Sequence, residues 1–348
     1  MIPQALPPAP PPPPVPALII DCTTSARSAD ELRQLEVPYY RWFGQSTDPE
    51  SIKTGKIDTS KLIDEITRKM GPDPSGWGML DYEEPFDAWL ELPPTDPKHV
   101  QVVSEMVRAI RAVKATFPKV KWTYYGQPRL DRWPMQADGT RKGWPEASPE
   151  SCSKEIERRI ATLGPIIAEL DWISPSFYDV YENALFSGEE GRVMLANEER
   201  WRIEDARLGR EMRRRRGLPQ VPVLPCVSCV FQGGGRATPF RPIPVPELLS
   251  DQVQPGLAGG VDGFTMWSGV DFAVMVATLP PDHKLDASDQ KVQQESRTAW
   301  QPFVPKAKTP IEWTDDMVRF ELSQRVGDVV TAAAKAIKAA VSQRHAGS

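Results

Sequence analysis

The chain has 348 residues, 40% of them apolar, and a net charge of −5. That length supports one large domain with a substantial core, or two small ones, and the composition is globular. The mild acidic balance gives no case for nucleic acid or an acidic membrane surface as partner, and no apolar run is long enough to span a bilayer.

Residues 1–16, MIPQALPPAPPPPPVP, are almost pure proline and small residues. Such a segment cannot donate a regular set of backbone hydrogen bonds and has little to bury. It reads as an extended polyproline II tail or linker ahead of a single domain over residues 17–348. It lacks the charged and apolar regions of an intact signal peptide.

From there short β-type runs alternate with helical stretches. The runs are Ala17–Asp21, Val37–Phe43, Gly76–Asp81, Val120–Tyr125, Trp172–Tyr178, Val221–Leu224 and Val261–Trp267. Asp96-Pro97 opens a helix, with an N-cap carboxylate and proline at the first helical position. Val100, Val103, Met106, Val107, Ile110 and Val113 then recur at helical spacing. Further helices are expected over Ser153–Leu170, Glu190–Arg216, Pro246–Gln254 and Thr314–Ser342.

Strands alternating with helices imply parallel strands joined by crossovers. Seven such units ending in a long helix point to an α/β fold, a closed (β/α) TIM-type barrel with about seven strands. An open doubly wound sheet is the competing architecture. It usually carries a Gly-rich phosphate turn after the first strand, and Asp21-Cys22-Thr23-Thr24-Ser25 is not one.

Four cysteines and three histidines are present. Only Cys226-Val227-Ser228-Cys229 has metal-like spacing, with no second pair to complete a zinc site. A disulfide or two buried thiols is the reading for that pair. His99, His283 and His345 lie far apart, so metal hydrolysis and a Ser-His-Asp triad have little support. The run Arg213–Arg216 shares its segment with many carboxylates and reads as a solvated helix end. Gly233-Gly234-Gly235 reads as a flexible rim loop, because no Lys-Ser/Thr follows.

In a barrel, function sits at the carboxyl ends of the strands. Those ends carry Asp21, Trp42 and Phe43, then Asp81, Glu83 and Glu84, then Tyr124 and Tyr125, Tyr178, Cys226, and Trp267 with Asp271. The set is acidic and aromatic, as sugar chemistry requires. Carboxylates do acid–base work, and aromatic faces stack on the C–H faces of the rings. Asp81 and Glu83 are two apart on an extended segment and share a face, while Tyr82 and Glu84 take the other. Neighbouring carboxylates raise each other's proton affinity, so one stays protonated near neutrality and can act as a general acid on a glycosidic oxygen.

The segment LDYEEP resembles the D-x-E-E motif of the hyaluronidase family of glycoside hydrolases. Tyr124-Tyr125-Gly126-Gln127-Pro128 resembles that family's Tyr-Gly-x-Pro segment, and Ser174-Pro175-Ser176-Phe177-Tyr178 its Pro-Ser-Ile-Tyr segment. Glu247-Leu248-Leu249, followed by the run from Gly256 to Trp267, resembles its last helix and strand. The order and spacing across Ala17–Asp271 are more specific than any one piece.

The resemblance implies a distorted barrel and a retaining hydrolysis in which the sugar's own 2-acetamido oxygen attacks the anomeric carbon. Glu83 is then proton donor and base, and Asp81 orients the acetamido group. Tyr125 and Tyr178 hold that group and the sugar hydroxyls, Trp267 walls the pocket, and Asp271 matches a polar residue four after the tryptophan. The implied substrate is a polysaccharide or other glycan containing N-acetylhexosamine. No cofactor or metal is required, and no nucleic acid or membrane insertion is expected. The implied location is secreted or cell-surface.

The family commonly places an arginine, suited to a uronate carboxylate, three residues after the glutamate. This chain has Phe86. The reaction class is therefore implied more strongly than the polymer. Two other readings stay open: a catalytically inactive carbohydrate-binding barrel, and a barrel glycosidase with a conventional carboxylate nucleophile.

Overall fold

A computed structural model describes residues 15–21, 26–45, 48–178, 188–230, 242–268 and 315–347. Asp271, Cys22, His283, Gly233-Gly234-Gly235 and most of the proline-rich segment lie outside the described residues.

Six parallel strands form one sheet. They are β1 (Leu18–Asp21), β2 (Tyr39–Gly44), β3 (Gly76–Asp81), β4 (Val120–Tyr124), β5 (Cys226–Ser228) and β6 (Phe264–Trp267). Their order is β4-β3-β2-β1-β6-β5. The two outer strands, β4 and β5, are joined by one further extended segment. Tyr125 bridges Ser174 in parallel on one side, and Ile173 and Ser176 bridge Val223 and Cys226 in parallel on the other. Ile173 N–H donates to Pro222 O at 2.8 Å, and Cys226 N–H to Pro175 O at 2.7 Å. The sheet thus closes on itself through a seventh, proline-interrupted segment, and both edges that an open sheet would leave bare are paired. The doubly wound alternative is excluded by this closure.

Helices fill the crossovers. In chain order they are α1 (Ala26–Gln34), α2 (Glu50–Thr54), α3 (Thr59–Met70), α4 (Phe86–Leu90), α5 (Pro97–Thr116), α6 (Pro149–Glu169) and α7 (Gly188–Arg215). After β5 come α8 (Val245–Leu248), a π-helical turn over Leu249–Val253, and α9 (Gln254–Gly259). The last helix is α10 (Asp315–Gly347). It docks on the first: Lys335 pairs with Glu31 at 3.2 Å, and Lys338 donates to Leu35 O. None of the described helices is long and apolar enough to cross a membrane.

Several expectations shift. The sixth strand forms at Cys226–Ser228 rather than at Val221–Leu224, where Pro222 and Pro225 interrupt the ladder. On α5, Asp96 caps as expected, accepting from Lys98 N–H at 2.8 Å. The buried stripe runs through His99, Val102, Met106, Ile110 and Val113, and Val100 is exposed. Arg213 is buried rather than solvated. It donates to Ile167 O at 2.9 Å and Leu170 O at 3.3 Å, satisfying carbonyls at the end of α6. Arg214 and Arg215 pair with Glu211 on the surface. Cys226 and Cys229 are buried free thiols.

Strand alternation sorts side chains into two cores. Leu18, Ile20, Leu80, Trp122, Phe264 and Met266 face outward and pack under the helices. Ile19, Tyr40, Met79, Trp172 and Leu224 fill the barrel interior, with Trp42, Trp77 and Tyr125 packed against them. The period of two that turns Trp77 and Met79 inward turns Asp81 inward as well.

Candidate active site

The carboxyl ends of the strands open into a cleft of about 1120 Å³ whose lining includes Glu83, Tyr125, Ser176 and Tyr178. One wall is the long connection between β4 and α6, which contributes Arg129, Asp131, Arg132 and Trp133.

Asp81 is the last residue of β3. It is half-buried, and its Oδ1 is shielded from water with no hydrogen-bond partner among the described residues. Burial, the nearby Glu83 charge and Asp87 push its carboxyl up to about 7, while Arg129 pulls the other way. Glu83 follows on the exposed lip. Its carboxyl is also raised, first by desolvation and then by Asp87 and Glu84, with Arg129 again opposing. Asp87 and Arg129 act on both carboxyls, but of the two only Glu83 is among the lining residues of the cleft.

Two residues at the end of β2 fix this segment. Gly44 runs so close to β3 that a Cβ on it would lie 1.7 Å from Asp81 O. The next residue, Gln45, donates its backbone N–H to Asp81 O at 3.2 Å. Its side-chain Oε1 accepts from Glu83 N–H at 3.2 Å, and its Nε2 donates to Glu84 O. A single amide thus holds both backbone groups beside the proposed acid. Sequence reading missed Gln45; its only signal was its place directly after a glycine-ended strand.

Of the three aromatic residues expected in the site, Tyr125 and Tyr178 line the cleft, and Trp267 packs against Tyr178 without being a lining residue. The rings of Tyr125 and Tyr178 are 5.7 Å apart, and those of Tyr178 and Trp267 are 5.6 Å apart and stacked. Tyr125 Oη lies 3.0 Å from Ser176 Oγ. Tyr178 Oη lies 3.1 Å from Cys226 Sγ. Burial holds the Tyr125 phenol far above its ordinary value, with Cys226, Glu83 and Asp81 adding to the shift and the Ser176 bond opposing it. Both carboxylates are therefore within electrostatic reach of Tyr125. Burial pushes the Cys226 thiol up to about 11, so it stays protonated and serves as packing and a hydrogen-bond partner.

Phe86 cannot stand in for an arginine. It is 0% exposed, begins α4, and its ring lies 5.2 Å from that of Tyr82. A guanidinium reaches the site from the connection after β4 instead. Arg129 lines the cleft, pairs with Asp87 at 2.8 Å, and acts on both Asp81 and Glu83. It follows directly on the Tyr-Gly-Gln-Pro segment and was overlooked because no motif marks it.

The other carboxylates of the cleft are occupied. Glu155 accepts from Asp131 N–H at 2.9 Å and pairs with Arg158 and Arg159. Glu91 pairs with both of those arginines as well, and Asp131 pairs with Arg141. Among the described residues no group of three or more His, Cys, Asp or Glu could hold a metal ion.

No family model and no curated protein matches the chain in sequence. Solved structures similar to it include bee venom hyaluronidase, at 14% identity over 70% of this chain and 76% of that one, with a TM-score of 0.41. The bee venom enzyme in complex with a hyaluronic acid tetramer gives 14% identity, 70% and 75% coverage and a TM-score of 0.38. An endo-1,4-β-D-mannanase from Thermotoga petrophila gives 10% identity, 76% coverage of each chain and a TM-score of 0.37. These are likenesses of chain path and say nothing of the groups in the cleft.

Proposed function

We propose that this chain is a glycoside hydrolase that cleaves N-acetylhexosamine-containing glycans with retention, using the substrate's own acetamido oxygen as nucleophile. The observation that carries the reading is the pairing of a shielded, unpartnered Asp81 Oδ1 with Glu83, both within electrostatic reach of Tyr125. An acetamido N–H presented to Oδ1 supplies the partner that oxygen lacks and favours the ionised carboxylate. The ionised group then stabilises the positive charge that develops as the acetamido oxygen attacks the anomeric carbon. Glu83, with its raised proton affinity, donates to the leaving glycosidic oxygen and later takes a proton from the incoming water.

The Tyr125–Tyr178–Trp267 row offers an apolar face for the acetamido methyl and the ring, with hydroxyls for the sugar's polar edge. A conventional mechanism needs a second carboxylate free to attack; Glu91, Asp131 and Glu155 are all held by arginines, so Asp81 would have to be that nucleophile, the alternative that the thiazoline probe tests. In this reading residues 17–348 form one catalytic domain.

The test is a screen of wild type and Glu83→Gln on defined glycans, with a thiazoline mimic of the cyclised intermediate as probe. The expected result is turnover by wild type only, with the thiazoline competing. Turnover that survives in Glu83→Gln removes Glu83 as the acid. Turnover indifferent to the thiazoline points to a protein nucleophile, and binding without turnover to a carbohydrate-binding barrel.

A further inference from the structure

The cleft holds a second aromatic surface that the proposed chemistry does not use. Trp133 lines it from the β4–α6 connection, beside the exposed Met135. Its ring packs into neither hydrophobic core, and it pairs with no other ring among the described residues. A large, rigid, half-buried indole that lines the cleft and belongs to neither core is suited to a recognition surface.

The backbone under it is firmly held. Trp133 N–H donates to Asp131 Oδ1 at 2.9 Å, and Arg141 Nη1 donates to Trp133 O at 3.1 Å. Met135 bridges Arg141 across a short antiparallel pair. Asn197 Nδ2 on α7 donates to Arg132 O at 3.2 Å, and the Arg132 guanidinium sits 4.6 Å from the centre of the Trp201 ring. Trp144 Nε1 donates to Asp131 O at 2.9 Å. A loop this well tied presents its indole at little entropic cost on binding.

The cleft is also larger than its chemical end requires. At about 1120 Å³ it exceeds the roughly 300–1,000 Å³ of ordinary small-molecule sites, and leaves room for several sugar rings in a row.

We infer that Trp133, with Met135 beside it, forms a second sugar-binding subsite. It stacks on the C–H face of a pyranose belonging to the same glycan whose neighbouring linkage lies at Glu83. This rests on the glycosidase reading for the occupant's identity, and on the continuity of one cleft from Glu83 to Trp133 for its placement. The subsite makes affinity depend on chain length, and so selects oligomers over short fragments.

The experiment uses full-length protein with N-acetylchitooligosaccharides and hyaluronan oligosaccharides of two to six sugars. Turnover is followed in wild type, Trp133→Ala and Trp133→Tyr, and binding by calorimetry in the Glu83→Gln background with and without the Trp133 changes. The expected result is a roughly three- to tenfold rise in KM or Kd for Trp133→Ala on the longer oligomers, the worth of one aromatic contact. Disaccharide values should be unchanged, and Trp133→Tyr should recover most of the loss. An equal effect at every length, or none at any, overturns the subsite. Trp133-dependent binding without wild-type turnover keeps the subsite and overturns the hydrolase. Neither binding nor turnover of any oligomer in the ladder overturns both.

Discussion

Tyr178 stacks on Trp267 across β5, with ring centroids 5.6 Å apart and planes 29° apart, and its hydroxyl meets Cys226 of that same strand at 3.1 Å. The start of β5, the end of β6 and the closing segment are tied together by one tyrosine. Tyr178→Phe keeps the stack and loses the hydroxyl. It should cost about 1 kcal/mol of stability and lower kcat/KM by about tenfold if that hydroxyl also holds the sugar. Tyr178→Ala removes the wall as well and should cost about 3–5 kcal/mol. Urea unfolding beside steady-state kinetics separates the two effects. Undiminished activity in Tyr178→Phe takes the hydroxyl out of the mechanism.

The Glu83 charge is one of the causes that raise the Asp81 carboxyl, which links the ionisation of the two groups. Their raised proton affinities keep one proton on the pair until about pH 7, the value to which Asp81 is pushed. The singly protonated pair is the active form, so kcat/KM should fall as pH rises through about 7. In Asp81→Asn that ionisation disappears, and the remaining basic limb should move down to the value of Glu83 alone. A pH profile of kcat/KM for both proteins checks this. An unshifted limb in Asp81→Asn would assign the titration to another group.

Gln45 acts on the chemistry only through the backbone of Glu83 and Glu84. Gln45→Ala should lower kcat more than it raises KM, with a stability loss of about 0.5–1.5 kcal/mol, since both bonds are solvent-exposed. Gly44→Ala forces the β2 and β3 ends apart, since its Cβ would lie 1.7 Å from Asp81 O, and should cost about 1–3 kcal/mol or more. A Gln45→Ala protein with wild-type kcat and pH profile would reduce the clamp to a structural bond.

Asp205 is a buried carboxyl on α7, 1% exposed. It accepts Leu130 N–H at 2.9 Å and leaves Oδ2 without a partner. Burial pushes it up to about 8, while the Leu130 amide and Arg159, Arg129 and Arg132 pull the other way. The native state therefore keeps a proton that the unfolded chain has lost, and stability falls as pH rises from about 4 to 8. Asp205→Asn keeps the Leu130 bond without the titration. Its stability relative to wild type should grow by about 1.4 kcal/mol per pH unit between pH 5 and 7. Urea midpoints at those two values measure it, and a constant difference would show that Asp205 is ionised in the native state.

Much of the barrel was legible in the sequence because strands and helices announce themselves by period. Gly76–Asp81 forms as read, and the Asp96-Pro97 helix start forms with its cap. What failed was local. Prolines 222 and 225 displaced a strand by several residues. On α5 the expected stripe holds at Met106, Ile110 and Val113, with Val103 and Val107 packed against the core, and fails only at Val100, which is exposed while His99 and Val102 are buried, because periodicity alone does not say which of two adjacent apolar stripes meets the sheet. Arg213 looked like one of four equivalent surface arginines, and only the nearby end of α6 makes it different.

The candidate site divides in the same way. The sequence by itself determined which groups stand at strand ends and which share a face: Asp81 with Glu83, and tyrosines at 125 and 178. Those facts follow from the two-residue period of an extended chain, a local property. Tertiary structure alone decided that Tyr125, Tyr178 and Trp267 stack in one row, that Gln45 clamps the acidic segment, and that Arg129 brings a cation near it while Phe86 turns into the core. The clamp and the arginine follow from pairing β3 with its neighbours β2 and β4, whereas the aromatic row depends on closing the barrel through residues 173–176, which brings strand ends far apart in the chain to within contact. No local pattern encodes that closure, because its energy comes from pairing and burying surfaces that meet only when the ring is complete.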